Sequence, residues 1–204
     1  MVESSKIASG SPALLIGVYF NSVISFASLM GYIPASNHVP ILVVSILAGF
    51  LVFLGGFIEL IRGDILGGTL NLVFGLFFIM LSGVVNLLVF QGSLFNVPVE
   101  SGTATGWIFL ALGITLVILT PINFFLSGIV SMLLLCADVG VLIIAFVSLG
   151  VLSPSLMPLA AWLILILGLI AMYISAGTLY NTVLGKAIFP MGGPFIKSNP
   201  DSKK

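Results

Sequence analysis

The chain has 204 residues, of which 60% are apolar and 6% are charged, and its six basic side chains balance six acidic ones. Soluble domains are about 45–50% apolar and about 25% charged, so the composition excludes a water-soluble globular protein. The zero net charge and the lack of Walker or dinucleotide motifs exclude nucleic-acid and nucleotide binding. A single cysteine and a single histidine leave no Cys-based or multi-histidine metal site, and we expect no cofactor.

Six apolar runs, each about 20 residues or longer, fill most of the chain. Because a helix needs about 20 apolar residues to cross a bilayer, the sequence predicts an all-α, polytopic membrane protein with six transmembrane helices. The predicted helices cover about residues 12–33, 40–62, 64–90, 106–125, 128–150 and 156–184. Turns are predicted at 34–40 and 153–154, and the longest loop at 91–105.

Local signals refine these boundaries. Pro40 can open the second helix because a first-turn proline loses no needed donor. Gly63 interrupts the chain, Asp64 is placed to cap the third helix, and Pro121 predicts a kink in the fourth. The Gly63–Gly67 spacing has the G-x-x-x-G pattern typical of close helix packing.

The basic residues predict the orientation. One lies before the first helix, one lies between the second and third, and four follow the sixth: Lys6, Arg62, Lys186, Lys197, Lys203 and Lys204. With six spans all of them fall on one side, so both termini are expected in the cytoplasm. The predicted organisation is an N-terminal segment (1–11), a six-helix transport domain (12–193) and a polar tail (194–204).

Carboxylates inside the spans are the sharpest functional candidates, because charge is costly in a membrane. Asp138 lies near the middle of the fifth helix, where burial favours the protonated form, and it could carry a proton or form a structural hydrogen bond. Glu59 and Arg62 lie three residues apart near the cytoplasmic end of the second helix. They form either an interfacial ion pair or a charged vestibule.

Neutral groups and one absence point to the kind of solute. No Lys or Arg lies deep in a span, so an anion crossing the centre would find no counter-charge. We therefore expect a small neutral solute, or an anion that moves with a proton. Asn21 and Asn71 are candidate hydrogen-bond donors to it, and Asn86 and Asn123 are further amides that could bind a solute or join helices. His38 lies in an external turn, where it either senses pH or, as we interpret it, is simply an exposed turn residue.

Three segments together resemble the acetate uptake transporters, a family that includes bacterial succinate–acetate permeases. The end of the sixth helix matches the family's ending through Tyr173, Asn181, Gly185 and Pro190. The GGFIELIRGDILGG junction matches through Glu59, Gly63 and Gly67, and ADVGVLIIA matches around Asp138. Near the amino terminus Pro12 and Gly17 of GSPALLIG are kept, whereas the Asn-Pro that leads the family motif is replaced.

The resemblance implies a homohexamer in the cytoplasmic (inner) membrane, in which each protomer carries acetate, succinate or another short carboxylate together with protons. It places an apolar constriction at Val18, Phe74 and Ala137. Substrate binding is then assigned to Asn21, Asn71 and Tyr19, and proton linkage to Asp138 and Glu59. Only Phe74 keeps the aromatic character expected of the constriction.

Two other functions fit the residues. A channel for urea or short amides would suit the uncharged spans, although such channels carry tryptophan-rich walls and this chain has only Trp107 and Trp162. A membrane scaffold or sensor that transports nothing is the third possibility. An enzyme is not expected, because no paired acid and base or nucleophile pattern is present.

Overall fold

The computed structural model describes residues 8–95 and 102–197, which contain six helices long and apolar enough to cross a membrane. The all-α class and the six spans are thereby confirmed. Lys6, Lys203, Lys204 and residues 96–101 of the predicted loop lie outside the described residues. The helices are α1 (Ser11–Leu29), α2 (Val39–Ile61), α3 (65–95), α4 (Gly102–Asn123), α5 (Gly128–Ser148) and α6 (Met157–Leu184).

Helix α3 changes its winding halfway along. It runs as an α-helix over Ile65–Phe74, as a π-helix over Gly75–Met80 and again as an α-helix over Leu81–Phe95. Short π segments are rare and are frequent at functional sites, because they rotate the side chains that follow them. No sequence signal predicted this one.

Two predicted boundaries are wrong. The first helix ends at Leu29 and not near residue 33, because Gly31 takes a left-handed φ of 71° and the Tyr32 N–H turns back to the Ala27 carbonyl. Residues 91–95 and 102–105, which were predicted as loop, are helical, since α3 continues through Phe95 and α4 begins at Gly102. Hydropathy marks where apolar residues stop, whereas a helix can extend beyond them. The roles of Pro40 and Asp64 are confirmed: Pro40 lies in the first turn of α2, and Asp64 caps α3.

The helices form a ring in chain order. Each packs on its neighbours in sequence, α6 closes the ring against α1, and the α3–α4 join has the fewest contacts. Successive helices are antiparallel. We call the end where α1 begins and α6 finishes the terminal end of the bundle, and the opposite end the far end. Arg62, Lys186 and Lys197 lie at the terminal end, and Pro121 lies in the last turn of α4.

Two glycine pairs bring α2 against α3. A Cβ at Gly49 would lie 2.9 Å from the Gly75 carbonyl oxygen, and one at Gly68 would lie 2.9 Å from that of Gly56. The interpretation of Gly63–Gly67 as a packing motif is wrong, because Gly63 lies in the α2–α3 turn with φ 89°. Small residues do promote close packing here, but at other positions than the motif indicated.

Candidate functional site

A cavity of about 380 Å³ opens at the far end, between five of the six helices. Its volume is enough for several water molecules or a small organic solute. The lining comes from α1, α3, α4, α5, α6 and the α1–α2 turn and contains no charged side chain: Ser25, Ser28, Leu29, His38, Phe78, Ser82, Val85, Asn86, Thr105, Phe109, Ile144, Ser148 and Met157.

Hydroxyl and amide groups make this cavity a neutral hydrogen-bonding space. The Ser28 hydroxyl donates to Asn86 Oδ1 at 3.3 Å, and the Asn86 amide donates to the Ser82 carbonyl at 2.8 Å. The buried Ser25 hydroxyl has no hydrogen-bond partner among the described residues. A buried polar group without a partner is costly, so a solute that reached this hydroxyl would satisfy it.

His38 lies in this lining, so its interpretation as an exposed turn residue is wrong. The residue is 6% exposed and lines the cavity, although its neighbours Asn37 and Val39 are exposed. Its Nε2 lies 3.3 Å from the Ile33 carbonyl oxygen, and its buried Nδ1 has no partner within the described part of the chain. A carbonyl oxygen can only accept, so Nε2 carries the proton and Nδ1 holds the lone pair.

Aromatic rings lie one helical turn deeper in the bundle than Ser82 and Thr105 of the lining. Phe78 and Phe109 belong to the lining, with ring centroids 6.0 Å apart, and Phe74 stacks on Phe78 at 4.8 Å. All three rings are buried. The π segment of α3 begins directly after Phe74 and contains Phe78. We call these three buried rings, which lie at the inner side of the cavity, the aromatic barrier.

The predicted constriction residues lie below the cavity on the stripes that line it. Val18 and Asn21 precede Ser25 by two turns and one turn of α1, and Ala137 precedes Ile144 by two turns of α5. All of Val18, Phe74 and Ala137 are buried. Counting back from the Ser28–Asn86 hydrogen bond along the parallel helices α1 and α3 places Val18 level with the Phe74–Phe78 stack.

Asn21 has the strongest claim among the predicted substrate contacts. It is 1% exposed, and neither its amide nitrogen nor its carbonyl oxygen has a partner within residues 8–95 or 102–197. The same register count places it level with Phe78. An unpaired amide beside the aromatic barrier can serve a carboxyl group that leaves the cavity.

The other two predicted contacts lie away from the cavity. Asn71 is half-buried, one turn nearer the terminal end than Phe74, and a Cβ at Gly56 would lie 3.0 Å from its Cβ. It therefore packs against α2. Tyr19 is half-buried at the contact of α1 with α6, and its ring lies edge-to-face against that of Phe20, with centroids 5.9 Å apart.

Asp138 faces α4 and not the bundle axis. Its Oδ1 accepts a hydrogen bond of 3.1 Å from the Thr120 hydroxyl, and both residues are buried. It is one residue, or about 100° of helix rotation, away from Ala137, which shares the cavity-lining stripe of α5. The geometry is the one expected for a carboxyl group that joins two helices.

Glu59 caps a helix that is remote from it in sequence. Its Oε1 accepts four hydrogen bonds, from the Ser9 hydroxyl at 2.6 Å, the Gly10 N–H at 2.9 Å, and the Ser11 N–H and hydroxyl at 3.1 and 3.0 Å. Arg62 Nε lies 3.3 Å from Oε2, as the ion-pair reading predicts. The first N–H groups of a helix need acceptors and carry positive charge, so this carboxylate holds α1 onto α2.

The residues at the carboxyl end of α6 that match the family's ending bind the segment that follows the helix. Gly185 ends the helix with a left-handed φ of 64°. Asn181 then binds the returning chain, donating to the Phe189 carbonyl at 2.9 Å and accepting from the Ile188 and Phe189 N–H groups at 2.7 and 3.0 Å. The Tyr173 hydroxyl donates to the Pro190 carbonyl at 2.9 Å.

This returning segment crosses the terminal end of the bundle. The Gly128 N–H donates to the Gly193 carbonyl, and the Ile196 N–H donates to the Phe124 carbonyl. Residues 195 and 196, which the sequence assigns to the polar tail, thus contact the α4–α5 turn. At the other chain end, the Pro12 carbonyl accepts from Ser175 at 2.8 Å, and a Cβ at Gly17 would lie 3.1 Å from the Ala48 carbonyl oxygen. Gly67 donates its N–H to Asp64.

Sequence reasoning missed two aromatic residues of the site, Phe78 and Phe109, and expected His38 to be exposed. Phe78 follows Phe74 by one turn and could have been found from that spacing. Phe109 lies among ten other large apolar positions of α4, and nothing in the sequence of that helix distinguishes its inward face. The burial of His38 was not predicted, because its turn contains two prolines and prolines indicate a surface loop.

Comparisons with known proteins give a structural match but no sequence match. A comparison with protein-family profiles found no match, and neither did a comparison with the sequences of curated proteins. Among solved structures, the chain is similar to one described as the structure of the bacterial acetate channel SatP, with a TM-score of 0.78 and 18% identity. The match covers 92% of this chain and 100% of that one. The chain therefore has the fold of a bacterial acetate channel, and its resemblance to the acetate uptake transporters is confirmed at the level of the fold.

Proposed function

We propose that the protein carries acetate and similar short carboxylates across a membrane, through a pathway along the axis of each protomer. The supporting observation is the pairing of an uncharged, hydrogen-bonding cavity at the far end with a barrier of stacked phenylalanines directly below it. The match to a structure described as an acetate channel supports the choice of substrate. Succinate and proton coupling belong to the same proposal.

The pathway we propose runs from the cavity to Asn21, then between Val18, Phe74 and Ala137 to the terminal end. A narrow apolar constriction repels hydrated ions because water leaves it readily. A carboxylate anion would lose its hydration there without a counter-charge, at a cost of many kcal/mol. A carboxylic acid carries no charge and needs only a few hydrogen bonds, which Asn21 and Ser25 can supply.

We place the terminal end in the cytoplasm and the protein in the cytoplasmic membrane of the cell. The basic residues Arg62, Lys186 and Lys197 at that end support this orientation. The lipid bilayer would contact the many exposed apolar side chains around the ring, such as Leu47, Ile118 and Leu169. A homohexamer, in which some of these side chains contact neighbouring protomers, is part of the proposal, and native mass spectrometry in detergent would test it.

The proposal is tested by the uptake of labelled acetate into liposomes that contain the purified protein. We expect uptake above that of empty liposomes, competition by unlabelled short carboxylates, and a marked loss in Asn21→Leu, which keeps the size but removes the amide. Tyr19→Phe is the control, because its hydroxyl lies outside the lining and its loss should leave uptake unchanged. Equal uptake with and without the protein would refute the proposal.

The alternative function to be distinguished from acetate transport is a urea channel. Trp107 and Trp162 are 62% and 51% exposed and lie outside the cavity, so the tryptophan-rich wall of such channels is not present in the lining. Liposome shrinkage in urea measures this directly. Urea flux without acetate flux would assign the protein to that class.

A further inference from the structure

We propose that His38 is the proton-linked recognition group of the far-end cavity, binding one carboxyl group and one proton together at its Nδ1 atom. The inference rests on the proposed function and extends it, because it assigns the proton to a residue that the resemblance does not include. It depends on the geometry of His38 and on the charges around it.

The tautomer of His38 decides what its free nitrogen can do. The Ile33 carbonyl fixes the proton on Nε2, so Nδ1 presents a lone pair in a cavity-lining residue that is 6% exposed. A carboxylic acid can donate its O–H to this lone pair. Transfer of the proton breaks the O–H bond, forms an N–H bond at Nδ1, and leaves a carboxylate beside an imidazolium. The total of one proton and one carboxyl group is the same in both forms.

The described charged side chains lie away from His38, so an imidazolium and a carboxylate there would be the charges nearest to the cavity. Six charged side chains belong to the described residues; five are at the terminal end and Asp138 is at the α4–α5 contact: Glu59, Arg62, Asp64, Lys186, Lys197 and Asp138. None comes from the α1–α2 turn, the start of α2, the second half of α3 or the start of α6, which surround His38. Tyr32, in the same turn, is 65% exposed. Glu100 lies outside the described residues.

The cavity therefore has no fixed counter-charge for an anion among those residues until His38 is protonated. Histidine is the side chain that changes charge within the physiological range of pH. Protonated His38 attracts a carboxylate, and the Ser25 hydroxyl, which belongs to the same lining and has no partner among the described residues, can add a hydrogen bond. Return of the proton from Nδ1 restores the neutral acid, which is the form that can pass the aromatic barrier. Acetate and a proton would thus enter the constriction together.

The sign of the pH dependence follows. Binding of the anion to protonated His38 is full when the pH is below the titration midpoint of the free histidine. Above that midpoint, the apparent dissociation constant for acetate rises about ten-fold per pH unit, because each bound anion needs one bound proton. By the same linkage, bound acetate moves the titration midpoint of His38 to higher pH.

One histidine in the chain makes the test direct. Nitrogen NMR of ¹⁵N-histidine-labelled protein in detergent reports the protonation of His38 alone, as pH is varied with acetate, with acetamide, or with chloride at equal ionic strength. We expect acetate to raise the midpoint relative to chloride, and acetamide, which has the same shape but no acidic proton, to leave it unchanged. Equal midpoints in acetate and chloride would overturn the inference.

A transport experiment completes the test. His38→Gln keeps a donor for the Ile33 carbonyl but cannot be protonated, so its acetate uptake should lose the pH dependence of the wild type. Asn37→Gln, an exposed neighbour in the same turn, should retain it. If acetate is transported with the wild-type pH profile in His38→Gln, the inference fails while the proposed function stands. If the wild type transports no acetate, the proposed function fails first.

Discussion

The carboxylate of Glu59 should contribute more to stability than any other charged group at the terminal end, and Glu59→Gln tests this. The substitution keeps the shape of the side chain but removes the charge that four donors share. Hydrogen bonds to charged groups contribute about 1.5–3 kcal/mol and neutral ones about 0.5–1.5, so loss of charge costs about 1 kcal/mol for each strong bond. The half-exposed Arg62 adds less than about 1 kcal/mol.

The two backbone N–H bonds and the short Ser9 bond together give an expected loss of about 3 kcal/mol in the free energy of unfolding. Asp64→Asn is the matched control, because Asp64 caps α3 from an exposed position through one bond of 2.9 Å to Gly67. Asparagine caps helices as well as aspartate does, so the control should change stability by less than about 0.5 kcal/mol. Reversible unfolding in mixed detergent micelles measures both. Equal midpoints for the two variants would refute the capping role.

Three further predictions concern other contacts. Asn181→Ala should increase hydrogen exchange at residues 186–193, because it removes three hydrogen bonds to that segment; unchanged protection would contradict its anchoring role. Asp138→Asn should alter acetate uptake by less than about three-fold, since the amide oxygen still accepts from Thr120; loss of pH dependence would instead make Asp138 the proton carrier. Gly49→Ala should destabilise the protein by about 1–3 kcal/mol through overpacking of α2 on α3, whereas Gly193→Ala, with open space around it, should not; equal unfolding midpoints would contradict the packing.

Much of the architecture follows from the sequence, because hydropathy reports directly which segments a membrane can hold. Six spans, the cap at Asp64 and the opening of α2 at Pro40 were all predicted correctly. The predictions that were wrong depend on single backbone angles: Gly31 ends α1 early, and Gly63 lies in a turn and not on a packing face. A glycine's φ is decided by the chain around it, and a spacing pattern does not report it.

The candidate site could be predicted only in part. Val18, Phe74 and Ala137 are buried, and their place at a constriction stays a prediction, because the sequence does not show which face of an almost uniformly apolar helix points inward. In soluble proteins polarity reveals that face, whereas in a membrane both faces are apolar. Asp138 and Glu59 illustrate the reverse problem, because a charge within a span marks importance without separating a structural contact from a functional one.

The aromatic barrier is the central element of the proposed pathway, and its removal is the most direct test. Phe78→Ala opens the stack below the cavity, whereas Phe77→Ala removes the same ring from a position that is 50% exposed on the outside of α3. We predict that both variants carry labelled acetate into liposomes, and that only Phe78→Ala also leaks chloride, at least about ten-fold above the wild type, because the constriction is then wetted. Chloride that stays excluded from Phe78→Ala, or that leaks equally through Phe77→Ala, would contradict a pathway through this barrier.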